Sequence, residues 1–460
     1  MLLLLVFTKI QKGKTQMINI PENVQLALKM LNSHGFEAYI VGGCVRDFLL
    51  SKTPNDYDIT TNALPEETQE VFKDFKCIDI GKKHGTIAVL INKMLIEITT
   101  YRIDGAYTDK RHPESVSFSK NLQDDLSRRD FTVNALAYNN LNETADFFNG
   151  KEDLKNKIIR CVGDPMKRFD EDALRIMRAV RFASQLDFTI EPETEKCIFS
   201  LKDTLSMIAV ERIRTELDKL LCGKAVFDIL MKYHDVIAVF IPEIAETVGF
   251  EQHSVYHRYT VWEHTARAVK NAPCDPLIRL TMLLHDIAKP CCFKLDEKGR
   301  GHFIGHPQKS SQLAFEILRR MKYDNKTIND VTQLIKYHDT KFTTRQDIKK
   351  TMSITGTELF EKLIEVQIAD SLSKDGENQK PLNDMNFVRE TYLDILAKNE
   401  CTSLKALRIN GSDLQKHEIH GKNIGYVLNI LLNEVIMDKT ENKHDILEKR
   451  CEEIKKSHHL

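Results

Sequence analysis

The chain is poor in several features that would narrow its class at once. It has one tryptophan in 460 residues, and its 66 lysines and arginines nearly match its 67 aspartates and glutamates, for a formal net charge of −1. A balanced charge excludes a molecule whose whole surface is a polyanion-binding field, although a local basic stripe suffices to hold RNA. The ten cysteines include no C-x-x-C pair and one adjacent pair, Cys291-Cys292. Such scattered thiols exclude a disulfide framework and point to a reduced, cytoplasmic protein. No stretch approaches the length of a membrane span. The opening MLLLLVFTKIQKGKTQ has too short an apolar run for a signal peptide, no basic start and no small-residue cleavage site. Met17 is therefore the expected functional start, with residues 1–16 ahead of it. No repeat or low-complexity block stands out, and the length allows two to four domains.

What is present begins with AYIVGGCVRDFLLSKTPNDYDITT. Ala38–Val41 is a short β-prone run that stops at Gly42 and Gly43. Glycines there let the backbone approach a ligand, and the apolar pattern from Cys44 to Leu50, which includes Arg46, reads as a short helix. A helix start after a glycine turn presents free N–H groups to phosphate. Asp56 and Asp58 lie two apart where β character resumes, so both carboxylates are expected on one face of a strand. Paired carboxylates suit Mg²⁺, which keeps room for substrate phosphates. The same residues would also suit a plain turn followed by a solvated Asp pair. The order of the blocks that follow separates the two readings.

Those blocks are IEITTYR (Ile96–Arg102), RRDFTVNALAYN (Arg128–Asn139), DFFNG (Asp146–Gly150), RFDEDALRIMRAVRFA (Arg168–Ala183) and ERIRTELDKLL (Glu211–Leu221). In this order, over roughly residues 17 to 225, the chain resembles the class II CCA-adding tRNA nucleotidyltransferases. It equally resembles the related bacterial poly(A) polymerases of the DNA polymerase β superfamily. The resemblance implies a head that performs nucleotidyl transfer with Mg²⁺ on Asp56 and Asp58, with Glu97 as the third carboxylate. It implies CTP and ATP as substrates and the tRNA 3′ acceptor end as partner. Arg128 and Arg129 are adjacent fork donors for triphosphate oxygens, as Arg102 could be. Asp130 and Asn134, expected four apart on a helix that Asp130 caps, match the residues that place the ribose. Glu171, Asp172 and Arg175 carry base choice: with Asp172 and Arg175 at i and i+3 of a helix, both project together. Arg175 can donate to the acceptor edge of cytosine or adenine, and Asp172 can accept from the amino group those bases share. Uracil and guanine would set a carbonyl against that carboxylate. Arg178 and Arg181 extend the basic side of the helix toward RNA phosphate. Glu211, Arg212 and Glu216 read as structural ion-pair residues.

A second constellation follows: His264, His285-Asp286, His306, His338 and Asp370. Imidazoles and carboxylates on helices make a divalent metal site. The order resembles the HD-type phosphohydrolases, with His264, His285, Asp286 and Asp370 matching the core ligands. His306 and His338 match the two further ligands of dinuclear members. If active, that family's chemistry implies removal of 2′,3′-cyclic phosphates or 2′-phosphates from RNA ends.

The expected fold is an α+β head with a small mixed or antiparallel sheet, then an all-α neck, an HD-type helical domain and a helical tail. The segments are 17–150, 151–225, 250–375 and 376–460. Gly81–Asn92 and Met94–Tyr101 are expected as paired strands, and the polar Arg102–Leu126 stretch as a mobile loop beside the site. The leading function is CCA addition without a nucleic-acid template. Poly(A), CC-only or A-only addition shares nearly all the same motifs. A third reading makes the HD segment the main enzyme, a phosphohydrolase, with the head as its RNA-binding part.

Overall fold

In a computed structural model of the chain, residues 20–54, 56–105, 115–140, 143–253, 258–374 and 380–458 are described. Residues 1–16, Met17 and positions 106–114 of the expected loop lie outside them. The chain forms two compact units: Met1–Arg175 with Thr189–Cys197, and Ile176–Phe188 with Ile198–Leu460. The division falls between Arg175 and Ile176, inside the segment expected as a neck.

The first unit is built on a seven-stranded mixed sheet. Helix α1 (Glu22–Ser33) precedes β1 (Ala38–Val41), followed by α2 (Gly43–Leu49), β2 (Asp58–Thr61), α3 (Pro65–Val71) and β3 (Lys76–Gly81). Next come β4 (Thr86–Ile91), β5 (Met94–Thr100), the hairpin β6 (Arg102–Asp104) and β7 (Val116–Phe118), and α4 (Leu122–Ser127). Strands β8 (Leu136–Asn139) and β9 (Glu143–Asp146) close the sheet in the order β3-β4-β5-β2-β1-β8-β9. Only β2 and β5 run parallel; the other neighbours are antiparallel. The AYIV run of β1 is buried at all four positions, as a central strand covered on both faces must be.

Helices α5 (Gly150–Asn156) and α6 (Pro165–Glu171) follow, with strand β10 (Ile158–Ile159) between them. Asp146 of DFFNG accepts from the Gly150 and Lys151 N–H groups at 2.8 and 2.9 Å, anchoring the start of α5. A Cβ on Gly150 would lie 2.3 Å from the Thr132 carbonyl oxygen, so glycine permits that close approach. Helix α7 (Leu174–Leu186), strand β11 (Thr189–Ile190) paired parallel with β10, and helix α8 (Pro192–Leu201) complete this stretch.

The second unit is almost wholly helical. It comprises α9 (Val210–Leu221), α10 (Val226–Lys232), α11 (His234–Ala238), α12 (Val261–Asn271), α13 (Pro276–Leu284) and α14 (Lys289–Cys292). The short hairpin β12 (Lys294–Leu295) and β13 (Gly301–His302) leads to α15 (His306–Arg320), α16 (Asn325–Tyr337), α17 (Arg345–Thr355) and α18 (Thr357–Leu372). Helix α13 reads PLIRLTMLL behind an Asp275 cap, and seven of its nine residues are buried. An all-round apolar helix of this kind belongs in a core. The tail is α19 (Lys380–Ala397), α20 (Gly411–Lys416), α21 (Lys422–Ile436) and α22 (His444–His458). The last three pack around a core of their own that includes Leu414, Leu431, Leu447 and Cys451. Among the described residues no helix is long and apolar enough to cross a membrane.

Four local expectations are corrected. Strand β2 begins at Asp58, so Asp56 lies ahead of it in irregular chain; nearby Pro54 has no N–H for a ladder. The Arg102–Leu126 stretch is not simply a loop, since it contains β6, β7 and most of α4. Asp130 and Asn134 do not share an α-helix: Thr132–Asn134 is one 3-10 turn whose cap position is Phe131. Asp172 and Arg175 do not sit on one helix either, because α6 ends at Glu171 and Asp172 is extended (φ −140°, ψ 102°).

Candidate active site and metal cluster

The sheet register assembles the first site. Asp58 pairs with Val41 across β1–β2 and with Glu97 across β2–β5. It therefore stands between the residue that leads into the glycine turn and the third expected carboxylate. Gly42 has φ +80°, and a Cβ there would lie 3.1 Å from an Arg129 guanidinium nitrogen, so a side chain would be both strained and crowded. Asp56, Asp58 and Glu97 all keep exposed surface. Desolvation is the main cause raising the Asp58 carboxyl above its usual range; Arg129 opposes it and Asp56 adds to it. Glu97 is raised by desolvation and then by the charges of Asp58 and Asp56. Three carboxylates that repel one another on and just ahead of the neighbouring central strands β2 and β5 are a donor set suited to hard divalent cations.

Around them runs a polar network. Arg46 donates to Asp47 Oδ1 at 2.9 Å and to Asn134 Oδ1 at 2.7 Å, and Asn134 donates to Asp130 Oδ1 at 3.0 Å. Asp130 Oδ1 also accepts from the Phe131 N–H at 2.8 Å, a local bond that favours the turn over a helix. The structure thus joins Asp130 and Asn134, though not by the expected helical spacing. Arg128 and Arg129 both reach Asp125, whose side chain is completely buried. Arg175 donates to Glu171 Oε2 at 2.7 Å, to the Arg168 carbonyl at 3.0 Å and to the Arg128 carbonyl at 3.0 Å. Asp172 accepts from the Leu174 N–H at 3.1 Å, which caps the start of α7. Arg102 is committed to Asp104 Oδ1 at 2.9 Å. In the second unit Arg178 lies 3.9 Å from Glu216, which also pairs with Arg181, and Glu211 pairs with Lys322 at 2.7 Å. Sequence reasoning missed Asp125; its i,i+3 and i,i+4 spacing to the two arginines was the available signal.

The second constellation closes tightly. His264 sits on α12, His285 and Asp286 follow α13, His306 opens α15, His338 ends α16, and Asp370 lies on α18. His264 Nε2 is 3.0 Å from Asp370 Oδ1, 3.3 Å from His285 Nε2 and 3.4 Å from Asp286 Oδ2. His306 Nε2 and His338 Nε2 are 3.3 and 3.8 Å from Asp286 Oδ1. Each ring turns Nδ1 to a carbonyl: Ser373 at 3.3 Å, Met282 at 2.7 Å, Phe303 at 2.8 Å and Ile335 at 2.6 Å, for His264, His285, His306 and His338. Carbonyls only accept, so Nδ1 carries the proton and Nε2 faces the centre, as metal-ligating histidines do. Neither Asp286 oxygen, both buried, has a hydrogen bond of good geometry. Four inward nitrogens and two carboxylates fit a divalent metal site.

Burial opposes charging of His285, but Asp286 and Asp370 outweigh it and raise the ring to about 9. Burial lowers His264, and burial with the His285 charge pushes His338 down to about 3. Burial opposes ionisation of both carboxyls, yet both are held well below the usual range. For Asp286 the leading cations are His285 and Lys289; for Asp370, Lys374 and then His264. Lys289 and Lys374, missed in the sequence, lie 2.7 and 2.6 Å from these carboxylates. Both line a cavity of about 340 Å³ that opens onto the cluster. Among the described residues, groups of three or more ligand atoms within 4.8 Å of one another occur here and not at Asp56, Asp58 and Glu97.

Comparison with known proteins adds the following. Residues 38–160 match the family model described as Poly A polymerase head domain. Residues 187–247 match "Probable RNA and SrmB- binding site of polymerase A", and residues 304–450 match tRNA nucleotidyltransferase domain 2. The CCA-adding enzyme of Leuconostoc mesenteroides is 34% identical over 443 residues, covering 94% of this chain and 96% of that protein. The one of Lactobacillus helveticus is 55% identical over 196 residues, 43% of this chain and 49% of its own length. Among solved structures, the Bacillus stearothermophilus CCA-adding enzyme in complex with CTP aligns with TM-score 0.73 at 27% identity, over 95% of this chain and 98% of that one.

Proposed function

The chain belongs to the CCA-adding enzymes, and from that premise we propose that it adds C, C and A from CTP and ATP to the tRNA 3′ end. The 3′-oxygen of the tRNA forms the new bond at the α-phosphorus as pyrophosphate leaves. A nucleotidyltransferase head uses divalent metal, and Mg²⁺ held by Asp56, Asp58 and Glu97 would neutralise triphosphate charge and make the 3′-hydroxyl easier to ionise. Arg46, Arg128 and Arg129 line the path of the triphosphate beside Gly42 and Gly43. Asp130 and Asn134 hold the ribose, and Asp172 with Arg175 reads the donor–acceptor edge common to cytosine and adenine. Arg178 meets RNA phosphate.

One observation carries this reading. Arg175 donates to the carbonyl of Arg128, so the base-reading arginine and the triphosphate arginines form one bonded unit. A base accepted at Arg175 is thereby coupled to the geometry of its own triphosphate. The segments 17–150 and 151–225 supply this head and neck, and the tail from 376 supports the tRNA. The ten free thiols support a cytoplasmic location.

The test is extension of three tRNA transcripts, ending before CCA, after C and after CC, with CTP, ATP or both in Mg²⁺. Two C additions with CTP alone, and completion only when ATP is also present, are expected. Long A tails would make the protein a poly(A) polymerase, and CC-only or A-only products a split-function enzyme.

A second reading concerns segment 250–375, favoured by the four inward Nε2 atoms. His264, His285, Asp286, His306, His338 and Asp370 would hold a divalent metal, whose bound water would supply the nucleophile for phosphoester hydrolysis. The imidazole-rich set favours a transition metal over Mg²⁺. Lys289 and Lys374 would pair with a phosphate bound in the cavity beside it. Metal content and phosphatase activity on RNA ending in a 2′,3′-cyclic phosphate, compared between native protein and Asp286→Ala, test it. Equal metal content in the two would overturn it.

A further inference from the structure

We propose that Asp125 is a positioning residue that sets Arg128 and Arg129 as one triphosphate-facing pair and ties that pair to the strand carrying Asp58. The proposal rests on the head reading above. Asp125 Oδ1 takes the fork of Arg128, with Nε at 2.9 Å and a terminal nitrogen at 2.6 Å. Its Oδ2 takes Arg129 at 3.4 Å and the Thr60 hydroxyl at 3.0 Å. Thr60 lies two residues after Asp58 on β2, so the two side chains share a face of the sheet. The same carboxylate therefore touches both arginines and the strand of the metal-binding aspartate.

The arrangement constrains where the arginines can point. An arginine has five donors, and Asp125 occupies one edge of the Arg128 guanidinium and a single terminal nitrogen of Arg129. Arg129 extends from there to the Gly42 turn, where it stands 3.1 Å from the space a Cβ would fill. Its Nε is buried without a hydrogen-bond partner. Arg128 has Asp104 4.0 Å away on its other side. Two carboxylates, Asp125 and Asp104, against three guanidiniums, Arg102, Arg128 and Arg129, still leave positive charge, and Arg129 carries it to the glycine turn, where a triphosphate would meet it. A purely structural ion pair would need neither the second arginine nor the link to β2.

The experiment uses the full chain with Asp125→Asn, which keeps the size and the Thr60 contact but removes the charge that gathers the arginines. Calorimetric binding of CTP, ATP and inorganic pyrophosphate with Mg²⁺ is read beside the KM values for both nucleotides and for tRNA. Binding of CTP and ATP should weaken by one common factor of about tenfold, with pyrophosphate weakened in parallel. The KM for tRNA should stay within about twofold, because no RNA contact changes. Thr60→Val, which removes the strand anchor together with the hydroxyl's 3.2 Å contact to the Thr99 carbonyl, should shift the same constants in the same direction by about threefold. Unchanged nucleotide and pyrophosphate binding with a lowered thermal midpoint would overturn the proposal. So would unequal losses for CTP and ATP, which would assign Asp125 to base choice. If Asp125→Asn does not fold, the Thr60→Val shift decides. Native protein that adds no nucleotide would defeat the head reading instead, and the binding arm would still judge Asp125.

Discussion

The two sites solve the problem of concentrated charge in opposite ways. In the first unit Asp56, Asp58 and Glu97 keep exposed surface on and just ahead of two central strands, and desolvation with mutual repulsion raises both Asp58 and Glu97. In the second, Asp286 and Asp370 are buried and held well down by histidines and lysines. The first is a set of anions short of cations, open to ions that arrive with a substrate. Oxygens that hold two ions need not crowd within one coordination sphere. The second is electrically compensated and buried at the floor of its cavity, an arrangement suited to a resident cation. On the proposed reading, the contrast would separate a cation that comes with triphosphate from a cation that belongs to the fold.

The largest effect that could break this contrast is at the first site. Asp56→Ala should lower nucleotide addition at least about a thousandfold, the scale of several kcal/mol of charge stabilisation. Initial rates on tRNA lacking CCA check it. A loss under about tenfold would mean that the exposed carboxylates are not the metal site. Next comes base choice: Arg175→Ala should reduce the preference for CTP and ATP over UTP and GTP by about 10- to 100-fold. Single-turnover kcat/KM for the four nucleotides reads it.

How much of this was legible follows from where the signals lie. The sheet head, the helical remainder and the six residues that gather at the second cluster could be read because their residues recur in fixed order. Local conformation was harder wherever a short acidic side chain bonds its own backbone. Asp130 bonds the Phe131 N–H and Asp172 the Leu174 N–H, and each stops a helix that periodicity would continue. Asp125 was hidden differently. In NLQDDLSRR two adjacent acids look alike, and only folding turns one completely inward beneath the arginines. Lys289 and Lys374 were missed because a lysine three or four residues beyond a carboxylate usually points to water.

Smaller effects sharpen the contrast at the second site. In metal-free protein, stability should peak near pH 6.5. The contribution of His285 is full below the ordinary histidine value of 6.5 and is lost as pH rises through about 9. His338, pushed down to about 3, acts oppositely and costs stability as pH falls below 6.5. The depressed Asp286 and Asp370 contribute stability above about pH 4 that is lost as pH falls further. Thermal midpoints from acid to pH 9.5 check this, and bound metal, which needs neutral imidazole, should flatten the alkaline limb. A midpoint rising steadily into alkali would contradict it. The smallest effect is expected at Arg178, which lies 3.9 Å from Glu216 on a partly exposed face. Arg178→Ala should raise the KM for tRNA about threefold through one phosphate contact and leave CTP and ATP unchanged.

The most direct measurement compares Asp58→Asn with Asp286→Asn for CCA addition to tRNA and for tightly bound transition metal. Asp58→Asn is predicted to abolish addition while keeping the metal of the second unit, and Asp286→Asn to lose that metal while adding CCA at the native rate. Loss of CCA addition in folded Asp286→Asn would contradict the separation of the two sites on which the whole reading depends.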